Sequence, residues 1–169
     1  MKRNRSRTQS GNTLLEFTLV AIPLVFLIIS IAEMSRGMWV YGTLAHAVKE
    51  GTRFTAVHGQ GCAAASANCP VTVGAVATVV QQAAVGLDPG QFNVVLAAGG
   101  ATQNCAPIST CLSSSGAWPP PPNNGIGLPV KISGAYPFRS ALAMFWPGAA
   151  SVKFTAVNLG AQSQEEILF

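Results

Sequence analysis

The stretch LLEFTLVAIPLVFLIISIA, residues 14–32, decides how this chain of 169 residues is organised. It contains thirteen Leu, Ile, Phe or Val residues and a single charge, Glu16. A helix of this length measures about 28 Å, close to the roughly 30 Å hydrocarbon core of a bilayer. The apolar side chains favour insertion by about 4–8 kcal/mol, whereas one carboxylate costs at most about 2.5–3.5 kcal/mol. The stretch therefore predicts a transmembrane helix.

The net positive charge of the chain lies in front of this helix. Four of the ten basic residues precede it, namely Lys2, Arg3, Arg5 and Arg7, and the chain from residue 8 onward is neutral. Positive charges before a span keep that end in the cytoplasm, so residues 33–169 are predicted to be exported. Only 9% of the residues are charged, which argues against disorder and against a wholly cytosolic protein. Because the basicity belongs to a short tail, we expect no nucleic-acid binding.

Two simpler interpretations of the N-terminus remain open. One is a cleaved secretory signal, although the apolar run is longer than usual and lacks a small-x-small cleavage site. The other is a plain signal anchor, in which the residues around the start of the span have no further role.

The sequence GNTLLEF, residues 11–17, resembles the class III signal of type IV pilins and pseudopilins. The resemblance implies that a prepilin peptidase cuts between Gly11 and Asn12 and leaves the apolar helix on the mature protein. It also implies that Glu16 pairs with the new amine of a neighbouring subunit and sets its register, with Phe17 completing the Glu-aromatic pair of the Flp and Tad subfamily. The alternative is that Glu16 reaches out to the lipid headgroups. Pro23 predicts a helix kink.

The helix is predicted to continue through residues 33–57, which contain no proline. The spacing of apolar residues follows a helical stripe, Met34, Met38, Tyr41, Ala45 and Val48. Glu33 and Arg36 stand at a spacing that permits pairing. Trp39 and Tyr41 are predicted either to anchor the chain at the membrane interface or to pack on the exported domain. Three glycines leave a break possible, at positions 37, 42 and 51.

A narrower resemblance covers residues 10–57 and returns faintly near residues 130–138 and 154–165. The segment is similar to the TadE-like family of the tight-adherence pilus apparatus, and the residues that match are Gly11, Glu16, Phe17, Leu19, Pro23, Ala47, Gly51 and Arg53. The family implies a membrane-anchored pseudopilin or minor pilin that acts in Tad/Flp-type pilus assembly and surface adhesion. Implied partners are the lipid bilayer, other pilins and pseudopilins, a prepilin peptidase and an inner-membrane assembly platform.

The expected organisation has three parts: a basic leader (residues 1–11), a membrane-spanning and projecting helix (residues 12–57), and an extracytoplasmic domain (residues 58–169). The expected location is the bacterial inner membrane, crossed once, with the N-terminus cytoplasmic and the C-terminal domain outside.

All four cysteines lie in the exported part, and an even number there indicates two disulfides. Three connectivities are possible, of which the local pairs Cys62–Cys69 and Cys105–Cys111 need the least chain closure. Zinc is the alternative, but neither pair has C-x-x-C spacing and only His58 lies nearby.

The rest of the exported part predicts a small α+β domain with a few antiparallel strands. Residues 71–85 predict a helix, with a strand pair as the alternative, and the predicted strands are residues 91–97, 128–133 and 149–159. Residues 138–146 predict a short helical or turn segment, and the Pro-rich residues 118–129 an exposed loop.

The sequence contains no catalytic motif, so we expect no enzyme activity, cofactor or metal. The alternative functions are a signal-anchored binding module or adhesin unrelated to pili, and a secreted disulfide-stapled protein.

Overall fold

The computed structural model describes residues 10–64, 69, 71–141 and 156–168. The chain forms two compact units, Met1–Arg36 and Gly37–Phe169. One helix, α1 (Ser10–Ala56), contributes residues to both, so the glycines at positions 37, 42 and 51 do not break it. Pro23 lies inside the helix. The predicted leader falls almost entirely on residues 1–9, outside the described residues.

The described part of the first unit consists of the N-terminal portion of α1. Apart from the partly exposed Ile29, its large apolar side chains from Leu14 to Ile31 are 53–72% exposed, although side chains of this size are normally buried in a soluble protein. Among the described residues, α1 contains the one span long and apolar enough to cross a membrane.

The second unit combines the C-terminal portion of α1 with a second helix and a four-stranded sheet. The elements are α2 (Val73–Ala83), β1 (Asn93–Ala98), β2 (Ala101–Cys105), β3 (Pro129–Phe138) and β4 (Val157–Glu166). All strand pairs are antiparallel, in the order β2-β1-β3-β4. Two short 3-10 turns, Gln60–Ala64 and Ile108–Thr110, complete the described elements. The expected α+β fold is confirmed.

The α2 segment forms a helix despite its valines, which resolves the alternative left open by the sequence. The hydroxyl of Thr72 accepts a hydrogen bond from the backbone N–H of Ala75 at 3.1 Å and caps the first turn. Val73, Val76 and Val80 are buried on one side, so packing offsets the lower helix propensity of β-branched residues.

One face of the sheet forms the core together with the two helices. Val94, Leu96, Val130 and Ile132 point into it, and all four are at most 1% exposed. Gly134 of β3 permits close contact with α1, because a Cβ there would lie 2.8 Å from Val48 Cγ2. The buried face of α1 contains small and medium residues, namely Val40, Leu44, Ala47, Val48, Gly51, Thr52, Thr55 and Ala56.

This buried face differs from the stripe that the sequence predicts. Met34, Met38 and Tyr41 are at least half exposed. The spacing correctly indicates a helix, but apolar size does not identify the side that packs, since the close approach of β3 requires smaller residues.

Several loop and strand predictions also need adjustment. The predicted strand at residues 149–159 falls mostly outside the described residues, and β4 begins at Val157 and runs further. The helical or turn segment predicted for residues 138–146 is only partly described. Phe138 ends β3, and residues 142–146 lie outside the described part of the chain. The Pro-rich loop is only partly exposed, because Trp118 is 3% exposed and Pro119 is also buried. Its backbone explains this, since Trp118 N–H donates to Val71 O at 2.8 Å.

Candidate membrane-anchoring and assembly segment

The polar side chains of the apolar stretch mostly bond to their own helix. Thr18 Oγ1 donates to Leu15 O at 3.0 Å, and Ser30 Oγ donates to Phe26 O at 2.8 Å. In a bilayer core no water is available, so a hydroxyl that bonds to its own helix needs no other partner. These two residues are therefore compatible with a lipid environment.

Glu16 is the exception in this stretch. Its side chain is exposed, and among the residues that the structure describes none forms a hydrogen bond or ion pair with it. Phe17 beside it is 72% exposed. A carboxylate at this position requires water, a headgroup or a cation supplied from outside the described chain.

The predicted processing site lies in the first turn of α1. Gly11 and Asn12 are helical in backbone. Asn12 precedes Glu16 by four residues, which is about one helical turn. Further along, Pro23 has no N–H to donate, so the carbonyl of Leu19 loses its usual helical partner.

Charged residues follow directly after the apolar stretch. Arg36 Nη1 lies 3.0 Å from Glu33 Oε1, so the ion pair that the spacing predicts is present. Ser35 Oγ donates to Ile31 O at 2.9 Å in the same turn. A charged pair therefore follows the apolar stretch of residues 14–32, although Met34 between its two members is also 70% exposed.

The cysteines pair locally, as the shortest chain closures suggest. Cys62 is bonded to Cys69 and Cys105 to Cys111, and no described cysteine is free. The ligand atoms of His58, Cys62 and Cys69 lie within 4.8 Å of one another, which makes them the one cluster in the described chain that could hold a metal. Zinc binds thiolates, and both sulfurs are committed to a disulfide in this structure. His58 Nδ1 also lies 2.6 Å from Phe54 O.

Sequence reasoning missed the surroundings of Trp39. The indole is 55% exposed and lies against Gly86 in the turn after α2. Trp39 therefore packs partly on its own domain and stays partly open, so neither of the two predicted roles excludes the other. A glycine after a helix is a sequence signal for a residue of positive φ, as Gly86 has, but its contact with Trp39 is revealed only by the structure.

Comparison with known proteins finds a match for the N-terminal helix. The model of the TadE-like protein family matches residues 11–53. No curated protein and no solved structure gives a significant match to the chain. The matched family is one of proteins associated with the Tad pilus. The resemblance found in the sequence is confirmed over residues 11–53, where the chain is similar to the TadE-like protein family.

Proposed function

We propose that the protein is a membrane-anchored pseudopilin or minor pilin that acts in Tad/Flp-type pilus assembly and surface adhesion and has no enzyme activity. The observation that carries the proposal is that two features of a pilin-like anchor occur together in one helix. The residues that match the TadE-like family include an exposed apolar stretch and, near its start, an exposed Glu16 without a partner in the described chain.

Insertion of α1 is supported by its energetics. The thirteen large apolar residues between positions 14 and 32 favour membrane insertion by about 4–8 kcal/mol. This exceeds the insertion cost of one carboxylate, about 2.5–3.5 kcal/mol even at the helix centre. Glu16 lies near the end of the stretch, where the cost is lower. Two hydroxyls in the stretch are already bonded to the helix.

The proposed topology follows from the charges. Lys2, Arg3, Arg5 and Arg7 keep the N-terminus on the cytoplasmic side of the bacterial inner membrane, and the sheet domain lies outside. Two disulfides suit an oxidising compartment of this kind. The helix then serves as the surface through which the subunit meets lipid and other pilins.

Glu16 is the proposed register residue. After a prepilin peptidase removes residues 1–11, the amine of Asn12 carries a positive charge at the membrane boundary. Pairing of this amine with Glu16 of a neighbouring subunit satisfies both charges. This ion pair can form only when the two helices are aligned, so it sets their register. Phe17 and the kink residue Pro23 shape the same contact surface.

N-terminal mapping of the membrane-purified protein tests the processing step. We expect a mature chain that begins at Asn12 when the prepilin peptidase is present and at Met1 when it is deleted. A chain that keeps its leader in peptidase-positive cells would contradict the proposal and favour a signal-anchored binding module or adhesin. Cleavage near residue 33 would indicate a secreted protein.

Substitution of Glu16 tests the assembly role. Glu16→Ala should insert normally, because removal of the charge favours insertion, yet should abolish piliation. Glu33→Ala is the matched control, because Glu33 belongs to the same helix but pairs with Arg36 of its own chain. Normal pili in the Glu16→Ala strain would show that this carboxylate has no part in assembly.

A further inference from the structure

We infer that the open edge of β4 pairs with β4 of a second copy of this chain, which joins two four-stranded sheets into one. β4 lies at the edge of the sheet in the order β2-β1-β3-β4. It is ten residues long, and none of its residues is buried. The inference uses residues of the second unit alone, so it stands apart from the proposed membrane span and processing site. It goes beyond the proposed function in naming a surface through which two sheet domains meet.

The main-chain groups of β4 that face the open edge are identified by the residues just after the strand. Ile167 N–H donates to Leu128 O at 2.9 Å and Ile167 O accepts from Gly127 N–H at 2.8 Å, so Ile167 points toward the side of β3. Leu168 N–H points the other way and donates to Ala56 O at 2.8 Å. These directions alternate along an antiparallel strand. The residues of β4 that direct their N–H and C=O groups to the open edge are therefore Asn158, Gly160, Gln162, Gln164 and Glu166.

The prolines of β3 agree with this assignment. Pro129 and Pro137, which have no N–H, stand opposite Glu166 and Asn158, where β4 makes no bond to β3. Each edge residue also has an exposed side chain. Within the described part of the chain, the main-chain hydrogen bonds of β4 run to β3. A row of main-chain donors and acceptors therefore remains for a partner.

β4 lacks the features that normally protect a sheet edge. Protected edges are short, or they carry a proline, a lysine or a bulge. β4 contains neither proline nor lysine, and it pairs with β3 without a bulge along its whole length. By contrast, β2 at the other edge has five residues and ends at the disulfide Cys105–Cys111. Of the two edges, β4 is the one suited to accept another strand.

The pattern of main-chain groups identifies a second β4 as the occupant. Alternating donors and acceptors along an extended backbone are matched by another β-strand. Because Leu168 N–H already bonds to Ala56 O, the open edge ends at Glu166, and Gln162 lies at its centre. A two-fold axis at Gln162 satisfies every outward N–H and C=O group between positions 158 and 166. The opposed residues of the two copies are then Gln162 with Gln162, Gly160 with Gln164, and Asn158 with Glu166.

The charges of β4 favour this antiparallel arrangement. The charged residues of the strand are Glu165 and Glu166, both at its end. Around the two-fold axis, Glu166 faces the amide of Asn158, which can donate to it, and Glu165 faces Leu159. Glu165 also keeps Arg53 of its own chain at 3.8 Å. A parallel pairing in register would instead place like charges directly opposite each other, which is destabilising.

Cysteine cross-linking of the full chain in detergent tests the two-fold axis. Opposed residues of a hydrogen-bonded pair have Cα atoms about 5.5 Å apart, within the range of a disulfide, whereas two copies of residue 164 would be separated by about 14 Å. The described native cysteines are already bonded. With copper-phenanthroline as oxidant, Gln162→Cys should form a covalent dimer, and the matched control Gln164→Cys should not. No dimer from Gln162→Cys, or equal yields from both variants, would overturn the inference.

A mixture of two variants tests the register independently. Gly160→Cys fits the strand, because a Cβ there would meet Gly134 O at an ordinary 3.9 Å. Gly160→Cys and Gln164→Cys should each remain monomeric on oxidation when alone, and should cross-link to each other when mixed. A mixture without this product would contradict the register even if the protein is a dimer.

Proline at the centre of the edge tests whether main-chain groups carry the contact. Gln162 N–H points away from β3, so Gln162→Pro removes a donor from the dimer and none from the domain, whereas Gln162→Ala removes the same side chain and keeps the donor. In sedimentation experiments in detergent, Gln162→Pro should raise the dimer dissociation constant by about tenfold or more, with little change for Gln162→Ala. Fluorescence of the buried Trp118 checks the fold of both variants. Equal dissociation constants, or a wild-type chain that stays monomeric, would overturn the inference.

A photoreactive benzophenone amino acid at position 162 tests the occupant in cells. We expect a product that contains two copies of this chain. The same residue at position 104 is the control, because Asn104 is exposed on β2 at the opposite edge. A product between position 162 and a different protein, without the self-product, would show that the edge serves another partner and would overturn pairing with a second copy.

Discussion

Gly51 of α1 is the position where packing of the second unit can be tested most sharply. A Cβ at this position would overlap Val80 Cγ2 of α2 and lie 3.2 Å from Ile132 Cδ1 of β3. Val80 and Ile132 are both fully buried, so neither has free space to move into. Gly51→Ala therefore forces one extra methyl group into a closed contact between three elements.

The magnitude of the effect follows from two opposing terms. Alanine favours a helix over glycine by about 0.8–1 kcal/mol, whereas overpacking of a closed core costs about 1–3 kcal/mol. Gly42→Ala is the matched control in the same helix, because nothing lies within 4 Å of its added Cβ. The propensity gain is common to both variants, so Gly51→Ala should be less stable than Gly42→Ala by about 1–3 kcal/mol.

The assay is denaturant unfolding of the full chain in detergent, followed by tryptophan fluorescence. Trp118 is 3% exposed and reports loss of the core. In a Val80→Ala background the difference between the two glycine variants should shrink, because the overlapping methyl group is gone. A Gly51→Ala protein as stable as Gly42→Ala would refute the close packing of α1 against α2 and β3.

Three other predictions concern the second unit. Replacement of both Cys105 and Cys111 by alanine should lower the free energy of unfolding by about 2 kcal/mol, as expected for so short a loop, measured by the same assay. A chelator should leave the unfolding midpoint unchanged, because Cys62 and Cys69 are bonded to each other; a lower midpoint would indicate a metal at His58, Cys62 and Cys69. Arg53→Ala should cost under about 1 kcal/mol and only at low salt, since its contacts with Glu50 at 3.7 Å and Glu165 at 3.8 Å are partly exposed; a larger, salt-independent loss would contradict this.

The features that the sequence predicts best depend on composition and local spacing. The run of residues 14–32 predicts an apolar helix whatever lies beside it, and Pro70 and Gly86 bracket the segment that predicts α2. Short chain closure favours local cysteine pairing among the three connectivities that the sequence leaves open, and the structure has the local pairs. The Glu33–Arg36 pair is likewise a matter of helical geometry.

The features that the sequence does not predict depend on tertiary contacts. The inner side of β4 carries Leu159, Ala161, Ser163 and Glu165. This row is too polar to predict a strand from the sequence, and β4 is defined by its pairing with β3. Trp118 is followed by four prolines, a tract that predicts a solvated loop, yet it is buried because its backbone pairs beside Val71. Gly86 is a sequence signal for the end of α2, but its contact with Trp39 is a tertiary feature that the sequence does not predict.

The two parts of α1 show why one helix can meet both lipid and protein. From Leu14 to Ile31 it carries bulky side chains that pack on nothing in the described chain, as a lipid solvent permits. From Val40 to Ala56 the buried side consists of smaller residues, because a sheet and a second helix must approach closely. The TadE-like match covers both parts and ends at residue 53, before the first cysteine. The family therefore informs us about the anchor and about the surface that receives the domain, whereas the target of the sheet domain must be sought in its own exposed surfaces.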